Sequence, residues 1–186
     1  MYYQFILINS EQPMKTIRLT IAALGLSLFS RVASAQTTAP ALTAYYSVKD
    51  ALVATDAAKA KTGATTLVAA LGNVDAANLS ANDRKALVTA KTKAAAISRS
   101  TDVDAQREAF EDLSASMIAL AKATKPAKRK ARAGPSGEPV PAPTYVQFCP
   151  MAAQGKGASW LSDKREVRNP YYGDKMLKCG SVKEEI

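Results

Sequence analysis

Apolar side chains recur at threes and fours from about Ala41 to Leu71. Leu42, Tyr45, Leu52, Val53, Ala60, Ala64, Leu67, Val68 and Leu71 carry the pattern, and that spacing collects apolar groups on one face of an α-helix. The run predicts one long helix. Gly63 weakens its middle by up to ~1 kcal/mol against alanine and marks either a kink or a close approach by a neighbouring helix. Gly72-Asn73 ends it with residues that tolerate left-handed backbone. Asp56 falls near the apolar stripe, where a carboxylate at the solvated edge of a helix face is the ordinary explanation.

A second helix is predicted from Ser80 or Asn82, either of which can cap it, through Leu87, Val88, Ala94 and Ile97 to about Ser98. The third is better marked. Thr101-Asp102-Val103-Asp104 supplies capping groups, and Val103, Phe110, Leu113, Met117 and Leu120 form its stripe; Met117 therefore reads as core. Short connections between three helices make an antiparallel bundle the economical arrangement over residues 41–123.

The pattern stops near Lys122. Residues 124–143 combine a basic run with Gly134-Pro135-Ser136-Gly137-Glu138-Pro139-Val140-Pro141-Ala142-Pro143, a composition that cannot bury much and predicts a linker. Residues 144–186 form a tail. It opens with Tyr145-Val146-Gln147-Phe148, which suits a short strand. Gly155 and Gly157 bound a loop leading to Trp160-Leu161, Asn169-Pro170 with Gly173 predicts a turn, and the segment around Gly180 and Val182 predicts a second short strand. So small a tail needs the bundle, a disulfide or a metal to hold it. The fold class expected is mainly α: an antiparallel helical bundle with a small Cys/Met-containing C-terminal tail of short β-strands and turns packed on it.

Composition narrows the chemistry. The chain has 186 residues and no histidine, which removes the commonest general base and the commonest metal ligand. Two cysteines fall short of the four thiolates that an all-cysteine zinc or iron–sulfur site needs. With no triad-like constellation, only a lysine such as Lys178 or a helix terminus could activate a cysteine nucleophile, and no enzyme is expected. The net charge of +9 would raise nucleic acid as a partner, but Lys125, Lys128, Arg129, Lys130 and Arg132 crowd into the linker, where a basic run is usually solvated chain. No nucleic acid is expected.

Near the N-terminus, Lys15 and Arg18 precede the apolar run Ile21 to Phe29, and Ala33-Ser34-Ala35 precedes Gln36. This is a secretory signal pattern over residues 1–35, with Met14 as the expected start, cleavage after Ala35 and a tether over residues 36–40. The apolar run is shorter than the roughly 20 residues of a membrane span. The expectation is an exported, periplasmic protein with no membrane span after cleavage.

Chemistry concentrates in the tail. Cys149-Pro150-Met151 and Met176-Leu177-Lys178-Cys179 hold both cysteines and two of the five methionines, and the turn at Asn169-Pro170 would fold one pair back on the other. Two thiolates and two thioethers without imidazole or carboxylate favour Cu(I) over harder divalent ions. The alternative is a disulfide between Cys149 and Cys179, with the methionines filling the small core around it. Trp160, Tyr171 and Tyr172 read as packing residues around the site that anchor the tail to the bundle.

The tail's motifs, Tyr145-Val146-Gln147-Phe148-Cys149-Pro150-Met151-Ala152, Gly157-Ala158-Ser159-Trp160-Leu161, Asn169-Pro170-Tyr171-Tyr172-Gly173 and Met176-Leu177-Lys178-Cys179-Gly180, resemble a bacterial periplasmic domain family of uncharacterised function. In the helical half, Tyr46-Ser47-Val48-Lys49-Asp50-Ala51-Leu52-Val53 and Gln106-Arg107-Glu108-Ala109-Phe110 fit as well, so the likeness runs from about Leu42 to Val182 apart from the linker. Members of that family occur alone or at the C-terminus of periplasmic adaptor subunits of heavy-metal efflux pumps. Cys149-Pro150-Met151 is also similar to the Cys-Pro-Met-His motif of heavy-metal-binding domains in those adaptors, with Ala152 standing where the motif has histidine. A Cu(I) or Ag(I) site needs no such histidine, and the resemblance implies a metal-handling or efflux accessory whose partner is such an adaptor or another envelope protein. Without it, a disulfide-stapled structural or interaction module remains the alternative.

Overall fold

A computed structural model describes residues 38–124 and 143–186. The predicted signal peptide, its start at Met14, the first part of the tether and nearly all of the linker lie outside the described residues. Four helices precede a small sheet: α1 (Ala39–Val53), α2 (Ala57–Gly72), α3 (Ala81–Arg99) and α4 (Val103–Ala123). The sheet is built from β1 (Tyr145–Cys149), β2 (Ala158–Ser162) and β3 (Ser181–Glu185), with a one-turn 3₁₀ helix, Gly173–Lys175, before β3.

The single long helix expected from Ala41 to Leu71 is two. Its apolar spacing runs unbroken through Ala54-Thr55-Asp56, but the backbone there closes a left-handed helix stop. Thr55 sits at φ +56°, and the Asp56 N–H reaches back to the Ala51 carbonyl at 2.9 Å, the six-to-one bond of a Schellman end. Asp56 is then the cap of α2: its carboxylate accepts from the Lys59 N–H at 2.9 Å, a bond that holds its pKa below the usual carboxylate value. Its partly exposed carboxylate therefore has a structural task at the solvated edge where α2 begins. Gly63, the suspected weak point, lies where α2 presses on α1; a Cβ there would stand 3.2 Å from Val48.

The later helices start where their caps predict. Ser80 caps α3 by accepting from the Asp83 N–H, and Asp102 caps α4 by accepting from the Asp104 N–H. Leu52, Leu67, Leu71, Ile97, Phe110, Leu113, Met117 and Leu120 are all buried to within 1 % exposure. Between them lie buried alanines, Ala60, Ala64, Ala90 and Ala94, small enough for helices to pack closely. No helix among the described residues is long and apolar enough to cross a membrane.

In the sheet β1 is central, antiparallel to β2 on one side and β3 on the other. The loop expected between Gly155 and Gly157 ends a run of turns, and the residues it leads to form a strand that was not expected, β2, paired Val146 to Leu161 and Cys149 to Ala158. Its two serines and alanine gave little strand signal, and pairing with β1 overrides that weak local preference. Strand β3 is a solvent-exposed edge carrying Lys183, Glu184 and Glu185, charges that discourage a further strand from adding there.

Sheet and bundle form one packed body over the described residues. Leu161 donates its N–H to the Tyr45 hydroxyl at 3.2 Å, and that hydroxyl shares a 2.7 Å hydrogen bond with Ser114 on α4. Rings continue the contact: Tyr45 stacks on Phe110 at 5.2 Å, Phe110 meets Tyr171 at 5.8 Å, and Tyr171 meets Trp160 edge-on at 5.8 Å. Ion pairs close the rim, from Lys49 to Asp163 at 3.3 Å and from Lys122 to Glu184 at 2.6 Å.

Candidate functional site

The two cysteines meet. Cys149 ends β1 and is fully buried, whereas Cys179, two residues before the start of β3, is half-buried. Their sulfurs are 2.8 Å apart as free thiols. Strand pairing of Phe148 with Ser181 delivers Cys179 to this place. Gly180, at φ +137°, permits it, because a Cβ there would lie 2.8 Å from the Phe148 carbonyl and 3.0 Å from the Trp160 ring.

Asn169 holds the other side of the loop. Its side chain is fully buried; Nδ2 donates to the Cys179 carbonyl at 3.0 Å, and Oδ1 accepts from the Tyr171 N–H at 2.8 Å. Its backbone N–H donates to the Leu177 carbonyl at 2.8 Å. The asparagine–proline turn thus reverses the chain and pins the Met176-to-Cys179 segment to itself.

Arg107 ties that turn to the bundle, and sequence reasoning assigned it no role. From α4 it donates to the Pro170 carbonyl at 3.2 Å, to the Leu52 carbonyl at 3.2 Å and to the Thr55 hydroxyl at 3.0 Å, while pairing with Asp104 at 3.1 Å. Only 7 % of it is exposed. A buried guanidinium is tolerated because its fork of donors is matched by acceptors on several sides. Two of those acceptors belong to the unforeseen end of α1. Without that break, the sequence offers no reason to place an arginine inside.

The methionines sit differently from the cysteines. Met151 is 52 % exposed and Met176 is 37 % exposed. Both approach the thiol pair through their backbones: the Met176 carbonyl accepts the Cys179 N–H at 3.0 Å, and the Met151 N–H faces the Cys179 sulfur. The Tyr172 hydroxyl donates to the Met151 carbonyl at 2.5 Å and so braces the Cys149-Pro150-Met151 turn. Trp160 is fully buried and Tyr171 nearly so, its hydroxyl donating to the Ser159 carbonyl at 2.7 Å, whereas Tyr172 is half-buried at the surface.

The electrostatics of the pair are local. Direct contact with Cys149 pushes the Cys179 thiol above its ordinary value, and the Met151 N–H works the other way. Among the described residues no three or more His, Cys, Asp or Glu side chains are grouped so that they could hold a metal ion, so no carboxylate joins the two thiols. A separate open cleft of about 410 Å³ is lined by Glu111, Asp112, Ile118, Ala153 and Ser159 and by neither cysteine.

One comparison with known proteins bears on the helices. A family model described as "Protein of unknown function (DUF3347)" matches residues 41–129. That span holds all of α2, α3 and α4 and most of α1, and ends inside the basic linker, so the likeness seen from Leu42 to Val182 is matched in its helical half and not in its tail. No curated protein and no solved structure matches the chain.

Proposed function

We propose that the protein is an exported, periplasmic accessory of metal handling or efflux that binds a soft monovalent ion, Cu(I) or Ag(I), at the tail. Cys149 and Cys179 would be the strong ligands and Met151 and Met176 the weaker ones. The observation that carries this is the meeting of the two thiols at 2.8 Å, with the backbones of Met151 and Met176 beside Cys179. Such a donor set suits soft ions: thiolate and thioether select Cu(I), whereas hard divalent ions want oxygen donors, and no carboxylate joins this cluster. Bound there, the ion would be held and passed on by ligand exchange between sulfurs, with the thiols giving up their protons as it binds.

The signal pattern before Gln36 supports export, and the resemblance to domains attached to heavy-metal efflux adaptors supports an adaptor or another envelope protein as partner. The alternative, a disulfide-stapled interaction module without metal, is favoured by one observation, the closeness of the sulfurs. Titrating Cu(I) into the reduced protein against a Cu(I) chelator decides between them. Competition that weakens on replacing Met151 and Met176 by leucine is expected. A reduced protein that leaves the chelator fully loaded would sink the metal reading.

A further inference from the structure

We infer that Cys179 and Cys149 form a thiol–disulfide couple in which Cys179 meets a small-molecule disulfide and Cys149 closes on it, so that oxidation removes both thiolates from the soft-metal site. The geometry is asymmetric in the way such exchange requires. Cys179 is half-buried between exposed Lys178 and Gly180, whereas Cys149 is fully buried behind it. Attack needs access, so a disulfide from solution meets Cys179 first. The second step needs a sulfur already in place. At 2.8 Å from Cys179, Cys149 stands within about 1 Å of the S–S bonding distance.

The steps balance as follows. Cys179 loses its proton to water and its thiolate attacks one sulfur of oxidised glutathione, forming a mixed disulfide and releasing one glutathione thiolate. Cys149, deprotonated in turn, attacks the Cys179 sulfur, forms the intramolecular bond and releases the second. The protein's two thiols are oxidised, the glutathione disulfide is reduced, and the two protons given to water appear on the two glutathione thiols.

The surroundings favour closure without unfolding. Cys149 is held by its strand pairing to Ala158, and Cys179 by Asn169 and the Met176 carbonyl. Both backbones are fixed before any bond forms, so little chain freedom is left to lose. A bond between them leaves only the thioethers of Met151 and Met176 as soft donors. The metal half of this inference rests on the proposed function; the redox half rests on the sulfurs alone.

The test equilibrates reduced protein in glutathione buffers of rising oxidation, followed by intact mass and by Cu(I) competition on each fraction. A mass two hydrogens lower is expected in the oxidised fraction. Its hold on Cu(I) should be weaker by on the order of 100-fold or more, beyond the loss typical of removing a supporting partner, and should return on reduction. In Cys149→Ser the glutathione adduct should collect on Cys179, while Cys179→Ser should form none. Brief alkylation of the native reduced chain, with peptide mapping, gives the same order without any substitution: Cys179 first. Protein that stays reduced in oxidising buffer, or labels Cys149 as fast as Cys179, overturns the couple. If the pair closes but the reduced form never competes for Cu(I), the metal reading falls and the couple stands.

Discussion

The bundle and the tail are held together by different means. In the bundle, long apolar stripes meet across alanine-lined contacts, and a family model follows the chain through it. The tail adds Val146, Trp160, Leu161 and Tyr171 to that core, and its loops are fixed in addition by hydrogen bonds made by buried polar groups. Asn169 pins the Cys179 loop, Arg107 grips Pro170, and Gln147 donates to the carbonyls of Lys164 and Glu166 at 3.0 Å each. Hydrophobic burial is non-directional and tolerates small rearrangements, whereas a buried hydrogen bond holds its geometry or is lost at a cost. The two sulfurs are kept in register by the second kind of cohesion.

Breaking the contact between the two regions should have the largest effect. Phe110 lies between Tyr45 and Tyr171, and Phe110→Ala should cost about 3–5 kcal/mol, read as a fall in the chemical-denaturation midpoint by both helix signal and fluorescence. Arg107→Ala should cost about 3 kcal/mol by leaving buried carbonyls without a donor. It also sharpens the comparison, because Trp160 is the only tryptophan: its emission should shift at lower denaturant than the helix signal is lost. Coincident transitions would show that the tail has no separate dependence on this clamp.

A smaller pair of effects should differ in sign. Gly173, at φ +53°, would bring a Cβ to 2.6 Å from both Arg107 and Thr55, so Gly173→Ala should destabilise by about 1–3 kcal/mol. At Gly72 nothing lies within 4 Å of the added carbon, and Gly72→Ala should stabilise by up to ~1 kcal/mol. Thermal unfolding of the two variants checks both directions at once.

The smallest effect concerns Glu111, whose pKa is raised by burial and by the neighbouring carboxylates Asp112 and Glu108. A raised carboxylate pKa means the folded state disfavours the ion. The penalty is absent at acid pH, where both folded and unfolded states are protonated, and grows as pH climbs through and above the ordinary glutamate range. Glu111→Gln should therefore raise the melting temperature slightly at neutral pH and leave it unchanged well below that range.

Much of the architecture could be read from residue order. The caps at Ser80 and Asp102, the stripe through Phe110, Leu113 and Met117, the stop at Gly72-Asn73 and the strand at Tyr145 all express local rules, in which neighbours a few residues apart set the outcome. Two features escaped those rules. The break at Thr55 is hidden because alanine-rich spacing continues across it and threonine is an unusual residue for left-handed backbone; the Arg107 contacts that satisfy it come from a helix some 50 residues away. Strand β2 is hidden because Ala158-Ser159-Trp160-Leu161-Ser162 has little preference of its own until β1 offers a ladder.

Residue types and spacing were enough to single out the two cysteines and to propose soft-metal chemistry for them, since that proposal follows from which side chains are present and which are missing. Their arrangement was not contained there. That Cys149 lies wholly inside while Cys179 lies half open, 2.8 Å away, follows from strand pairing, a buried asparagine and an arginine reaching over from the helices. Those contacts join residues far apart along the chain, and their energy exists only once the chain has folded.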